Sequence, residues 1–596
     1  MKNIVWLFLG VCIVLISCKE QSKSKVSQTS KNFKKPNIVL IMADDQGWGD
    51  LSMNGNSDVN TPHIDALAEN GVSFENFYVQ PVCSPTRAEL LTGRHFTRLG
   101  VHKTSAGGER MNLNETTLAE VFKQAGYQTA AYGKWHNGMQ PPYHPNARGF
   151  DDYYGFTSGH WGNYFSPMLE HNGKIVKGDG FLVDDLTNHG LQFITKNKEN
   201  PFFLYLPLNT PHSPMQVPDE FWNRFKDKEL SLTYHGEETT TIAHTKAALA
   251  MVENIDYNVG RIASKLRDLK LEENTIIIYL SDNGPNGWRW NGHMRGRKGS
   301  TDEGGVRTPF LLQWKGVVKA GKTVSQIGSA MDILPTLAGL AQIDIRTKKI
   351  IDGKNLAPLL LEENPKWEDR LVFNHWQEKT SIRTQQFRLD HEDRLYDMIN
   401  DRGQIIDISG EFPKVVDSLR KAKKDWLAET KPMTVKTDDR PLTLGHPNFE
   451  YTQIPARDGI AHGNIRRSNR HPNNTFFTHW KSEKDSITWD IDVLENGTFE
   501  VELYYTLAEE NKGVTIQLIN GMSILKARIT VAHDPPLTGM ENDRDSRIES
   551  YVKDFIPMRL GEIFLKKGRR AMTLKASEFQ GNAAMDVRLL MFRRLE

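Results

Sequence analysis

Four stretches of the chain share one construction, and it restricts the fold more than any other feature. "NIVLIMADD", "YQTAAYGKWH", "PFFLYLPLNTPH" and "NTIIIYLSDNG" are each a mainly apolar run that ends in polar residues. A strand covered on both faces reads this way, because neither face has to meet water. Helical patterns lie between them. In "TTLAEVFKQAGY", Thr117 and Glu120 form a capping box, Leu118, Val121, Phe122 and Ala125 share a face, and Gly126 suits the position after the last turn. A longer helix is predicted over Ala247 to Leu269. Strands alternating with helices predict an α/β fold with a large mixed, mainly parallel sheet sandwiched by helices. Such sheets bind ligands at the carboxyl ends of their strands. The polar residues of all four stretches fall at those ends.

The pattern changes near residue 373. "FRLDHEDRLYDMINDRGQIIDIS" reads as short antiparallel strands and "FPKVVDSLRKAKKDWLAE" as a helix that closes them. "TKPMTVKTDDRPLTLGHPN" is rich in Pro, Thr and Asp and reads as a linker. Beyond it, "DSITWDIDVLENGTFEVELYYTL" alternates apolar and polar residues across an Asn-Gly turn, as a β-sandwich does. The expected organisation is a catalytic domain over 36–372, a small antiparallel subdomain over 373–432, a linker over 433–450 and a β-sandwich over 451–596.

The N-terminal segment "MKNIVWLFLGVCIVLISCKEQ" has a positive start and a short apolar run, the composition of a secretory signal over 1–17. Its Leu15-Ile16-Ser17-Cys18 resembles a bacterial lipobox, which implies acylation of Cys18. The Lys/Ser-rich residues 18–35 then read as a lipidated tether. The expectation is an exported lipoprotein, in the periplasm or on the cell surface, held to a membrane by its lipid alone. A plain signal peptide with a chance cysteine has the same composition. The formal net charge of +1 provides no global field for nucleic acid or a membrane surface, so an anionic ligand has to be held by local cations.

The polar strand ends carry the chemistry. Asp44 and Asp45 end one strand, and Asp282 and Asn283 end another. Either pair alone also suits a turn or a helix cap. Converging, three acids and an amide oxygen repel one another unless a hard cation joins them. Lys134 and His136 end a third strand, two residues apart and so expected on one face. His212 ends a fourth, and Lys298 lies in the Gly-rich "RGRKGSTDEGG". With Arg87 these cations make a pocket for a tetrahedral oxyanion. Of the three cysteines, Cys12 and Cys18 lie in the leader, so Cys83 is the one thiol of the folded body. A buried hydrophobe and a thiolate nucleophile both fit a lone cysteine; a zinc site lacks a second cysteine.

Cys83-Ser84-Pro85-Thr86-Arg87 followed by Leu91-Thr92-Gly93-Arg94 closely resembles the signature of the formylglycine-dependent type I sulfatases of the alkaline phosphatase superfamily. The resemblance runs from about Lys35 to Glu429 and includes the "RLYDM" segment. It implies that Cys83 is oxidised to formylglycine (3-oxoalanine) by a formylglycine-generating or anaerobic sulfatase-maturing enzyme. It also implies that Asp44, Asp45, Asp282, Asn283 and the modified residue 83 bind calcium, in preference to magnesium. It gives Arg87 the orienting of the hydrated aldehyde, Lys134 and Lys298 the sulfate charge, His136 the role of base and His212 that of acid. Asn137 departs from the family, which usually has leucine there.

The loops "SGHWGNY" and "NGWRWNGH" place His160, Trp161, Arg289, Trp290 and His293 as candidates for reading a sugar, although ordinary loop packing accounts for such residues equally well. The appended sandwich resembles carbohydrate-binding modules in outline, and a packing role fits it as well. The leading expectation is a sulfuric ester hydrolase acting on a sulfated polysaccharide or oligosaccharide, of the kind found in polysaccharide-degrading bacteria. A phosphomonoester or phosphonate hydrolase of the same superfamily and a catalytically silent carbohydrate-binding lipoprotein are the alternatives.

Overall fold

The computed structural model describes residues 34–596, apart from 235, 434–437 and 580. The apolar leader, Cys18 and nearly all of the tether lie outside the described residues.

A ten-stranded sheet organises the first half of the chain. Its centre holds the four predicted strands in the spatial order Thr275–Ser281, Asn37–Asp44, Phe202–Pro211 and Gln128–Lys134, all parallel. The short Asp152–Phe156 strand continues the parallel set. Phe310–Gln313 runs antiparallel to its neighbours, which makes the sheet mixed. Alternate residues of one strand enter different cores: Val39, Ile41 and Ala43 face one side, and Ile38, Leu40 and Met42 the other. The helix predicted from Ala247 begins at Ile242, where Thr241 caps it, and runs to Asp268 on the first side. The Leu118–Gln124 helix lies on the second side, with the Thr117–Glu120 capping box formed and Gly126 at φ +85.

A four-stranded antiparallel sheet follows, formed by Val372–Trp376, Lys379–Arg383, Phe387–Leu389 and Leu395–Asp397. The Pro413–Thr430 helix packs Val416 and Leu419 against it. Glu303 of the larger unit ties this sheet in place. Its carboxylate accepts from Tyr78 Oη at 2.8 Å and Arg388 Nη2 at 2.9 Å, with Arg307 at 3.5 Å and Arg383 at 3.9 Å. Burial works against its ionisation, but these arginines hold its pKa below the ordinary glutamate value. Glu303→Ala leaves buried guanidinium groups uncompensated and is expected to destabilise the protein by about 3–5 kcal/mol, read as a lowered denaturation midpoint. Because the folded-state pKa is depressed, this contribution is present at neutral pH and is lost as pH falls through the lowered pKa.

Two six-stranded sheets close the chain as a sandwich around Trp480, Trp489, Val501, Leu518, Leu574 and Phe592. Leu442–Leu444, inside the segment read as a linker, is a strand of this sandwich, paired parallel with Ser486–Val493. Its apolar residues have a partner that short-range composition does not reveal. The sandwich is joined to the larger unit by polar contacts. Gln140 Nε2 donates to Gln453 O at 3.0 Å, Gln216 Nε2 to Gly539 O at 2.6 Å, and Arg544 Nη2 to Val217 O at 2.9 Å.

Candidate active site

Cys83 opens a ten-residue helix, Cys83–Thr92. Pro85 fits its first turn, where the missing N–H has no partner to lose. Gly93, at φ +67, supplies the left-handed residue that ends it. The helix is buried throughout, and its positive end lies at the thiol.

The sheet brings the polar strand ends to this thiol. Cys83, His136, His160, His212 and Lys298 line one cavity of about 190 Å3. Beneath it are Asp44, Asp45, Asp282 and Asn283, each no more than 1% exposed. Lys134 Nζ donates to Asp44 Oδ2 at 2.7 Å, and Arg87 pairs with Asp282 Oδ2 through Nε at 3.0 Å and Nη2 at 2.7 Å. Lys298 Nζ lies 2.7 Å from Asp45 Oδ1, and Asn283 Nδ2 donates to the same oxygen at 2.8 Å. Asp45 and His136 adopt the left-handed backbone region, φ +68 and +65, where their strands give way to loops. The strand therefore ends at Lys134, and simple alternation does not aim His136. A turn does, and His136 Nε2 donates to Thr104 O at 2.8 Å. Its Nδ1 is buried and has no hydrogen-bond partner among the described residues.

Burial and the neighbouring carboxylates set the ionisation. Burial pushes Asp44 up to about 6 against the pull of Lys134, with Asp45 adding to the rise. Burial and the charge of Asp44 likewise push Asp282 up to about 6. Asp45 is buried too, but Lys298, His212 and Lys134 hold it well below the usual carboxylate range. Burial and Lys298 push His212 down to about 4. His212 Nδ1 lies 2.7 Å from Ser213 O, an acceptor only, so Nδ1 carries the hydrogen and Nε2 faces Asp45 Oδ2 at 3.6 Å.

The residues fit a hard cation. Ligand atoms of Asp44, Cys83 and Asp282 lie within 4.8 Å of one another, as do those of Asp44, Asp45 and His212. Among the described residues, Asp44 Oδ1 and Asn283 Oδ1 are buried without a hydrogen-bond donor. Crowded carboxylates, two of them (Asp44 and Asp282) with raised pKa values, beside bare oxygens suit calcium or magnesium better than a soft metal.

The other predicted residues divide. His160 lines the cavity, with both ring nitrogens buried and unpartnered among the described residues and its ring 5.6 Å from that of His212. Trp161 turns away into a separate cavity and stacks on Phe156. Arg289 does not reach the site: it binds Asp50 through Nε at 2.8 Å and Nη2 at 2.6 Å, and Asp45 O through Nη2 at 3.1 Å. It shapes the backbone behind Asp45. Trp290 and His293 lie edge to face, and neither lines the catalytic cavity. Asn137 Nδ2 lies 3.3 Å from Ser84 O and 3.4 Å from Glu109 O, an anchor for the start of the Cys83 helix that leucine would lack.

His471, Asn473 and Glu549 of the sandwich also line the cavity. Glu549 Oε1 accepts from Ser213 Oγ at 2.8 Å. Burial opposes its ionisation, but His160 and Ser213 hold it down to about 2. No motif marks these three; only the docking of the sandwich brings them here. Ser213 was within reach of sequence reading, being next to His212.

A family model described as Sulfatase matches residues 36–343. N-acetylgalactosamine-6-sulfatase of Mus musculus is 34% identical over 363 residues, an alignment covering 55% of this chain and 66% of that enzyme. Arylsulfatase G of Mus musculus is 32% identical over 426 residues, covering 60% and 75%. The chain thus spans slightly less than two thirds of the first of these relatives. The solved structure of Ps i-CgsB in complex with k-i-k-neocarrahexaose is similar at a TM-score of 0.61 and 32% identity, over 68% of this chain and 95% of that one.

Proposed function

The chain belongs to the sulfatase family, and from that premise we propose that it hydrolyses sulfate esters of a sulfated carbohydrate. One observation carries this reading: Cys83, His136, His212 and Lys298 line a single small cavity above the Asp44, Asp45, Asp282 and Asn283 oxygens. The carbohydrate class is supported by the relatives, which include an N-acetylgalactosamine-6-sulfatase and a structure holding a neocarrahexaose.

In the matured protein residue 83 is formylglycine, made from Cys83 by a maturing enzyme that reads the residues after it. Asp44, Asp45, Asp282, Asn283 and residue 83 would hold a calcium ion, which when bound would supply charge neutralisation at the site. The rest is the work of this chain's side chains. Lys134, fully buried, and Lys298, partly buried, are held in place by Asp44 and Asp45 and bind the equatorial oxygens of the sulfate. Arg87 is locked on Asp282 and on Lys134 O at 2.7 Å, and fixes the geometry around residue 83. His136 lines the cavity with Thr104 holding its Nε2–H, which leaves Nδ1 as the atom to receive a proton; burial and Lys134 pull its pKa well below the usual histidine value, so that step draws on the charge of the bound sulfate. His212 turns Nε2 into the cavity, where the leaving alcohol requires a proton. In the free protein that nitrogen is unprotonated, and the charge of the bound sulfate favours its protonation.

The Leu15-Ile16-Ser17-Cys18 sequence supports an exported, lipid-anchored protein. The matured full chain is expected to release sulfate from defined sulfated oligosaccharides and from an aryl sulfate, with aryl phosphate turned over at least about a hundredfold more slowly in kcat/KM. Faster turnover of the phosphate would replace the sulfatase reading with a phosphomonoesterase one. The positions of the released sulfates would identify the sugar.

A further inference from the structure

A second cavity, of about 480 Å3, lies where the sandwich meets the larger unit. It shares two stretches of chain with the catalytic cavity. His160 lines the catalytic cavity and Trp161 the second; Asn473 lines the first and Asn474 the second. Much of the wall is apolar, with Met168, Tyr504 and Phe555.

Arg588 is out of place in such a wall. It is only 6% exposed. Among the described residues no carboxylate lies within ion-pair distance of it. Its Nη1 donates to Thr475 O at 2.7 Å and its Nη2 to Asn474 Oδ1 at 2.8 Å, and its guanidinium lies 5.4 Å from the Trp161 ring centre. Carbonyl and amide oxygens orient a guanidinium but do not neutralise it. Burial, with Arg457 nearby, pulls its pKa down to about 9. A buried charge is ordinarily paired, since leaving it unpaired costs several kcal/mol. Lys177 at the rim adds a second cation. Lys553 also lines the cavity but is paired with Asp534 and Asp586, and Asp554 is the one carboxylate of the lining. Asn474 Nδ2, buried and without a partner among the described residues, adds an unused donor.

We propose that this cavity is a second anion site, in which Arg588 binds a sulfate ester group of a multiply sulfated saccharide other than the one in the catalytic cavity. The proposal rests on the carbohydrate reading for its ligand. It gives the sandwich a part in selecting the substrate: apolar walls for the faces of a sugar, and a planar cation for its charged substituent.

Calorimetric titration of the full chain carrying Cys83→Ser reads binding without turnover. The probes are a monosulfated disaccharide, its disulfated counterpart and inorganic sulfate. The disulfated sugar is expected to bind about tenfold or more tightly than the monosulfated one, the scale of one charge-assisted contact. Arg588→Gln is expected to erase that ratio. Lys177→Glu, on an exposed side chain that folding does not need, is expected to reduce it several-fold. A ratio near one in the Cys83→Ser parent overturns the proposal, as does a ratio that survives both substitutions. Loss of inorganic sulfate binding in Arg588→Gln with no advantage for the disulfated sugar overturns it in favour of a bare anion site. Sulfate release from the same sugars by the matured enzyme separates the two readings. Release without a binding advantage sinks the second site alone, whereas a binding advantage without release sinks the hydrolase reading and leaves the site.

Discussion

Cys83→Ala is expected to lower turnover of every sulfate ester by about four orders of magnitude or more, the scale of removing a nucleophile from an otherwise intact site. The change deletes one sulfur atom from the first turn of the Cys83–Thr92 helix. The helix keeps Pro85, its Gly93 end and the Arg87–Asp282 pair, and the thiol is in no disulfide. Stability is expected to fall by no more than about 1 kcal/mol, the scale of a small cavity. Kinetics on the purified variant, beside its thermal midpoint, provide the check. Retained activity would mean that residue 83 is not the attacking group, and the cavity would then have to serve a different reaction.

His212→Ala is the second large effect, and it depends on the substrate. A sugar alkoxide is a poor leaving group and requires a proton as the S–O bond breaks; a nitrophenolate does not. Removing the proton donor is therefore expected to cost on the order of a hundredfold to ten-thousandfold in kcat on a sugar sulfate and about tenfold or less on nitrophenyl sulfate. The Ser213 carbonyl fixes the ring, and Nε2 is its cavity-facing atom. Equal losses on the two substrates would assign His212 to charge binding and leave Lys298, held by Asp45, as the proton source.

The two variants rest on different kinds of evidence. Cys83 was legible in the chain because its neighbours form a local pattern. So were Asp44, Asp45, Lys134, His212, Asp282 and Asn283, each at the end of an apolar run that becomes a central strand. The central strands are parallel and covered on both faces, so those ends converge without further instruction. His136 was found for an incomplete reason, since a left-handed turn rather than strand alternation directs it into the cavity. Arg289 had the right residue type in the right loop, but Asp50 takes its guanidinium. Trp161 follows His160 in the chain, yet the two enter different cavities. Which way such a side chain turns depends on partners distant in sequence.

The chain by itself determined the four central strands, the capping of the Thr117 helix, the motif around Cys83 and the residue types that meet at the strand ends. Those properties follow from periodicity and short-range sterics, which act over a few residues and are written in them. Tertiary structure alone decided that a strand from the apparent linker would join the sandwich, and that His471, Asn473 and Glu549 would wall the cavity. It also decided that Arg588 would be buried without a counter-charge beside a second cavity. These depend on where two separately formed cores dock, and the burial that fixes the docking sums over surfaces far apart in the sequence.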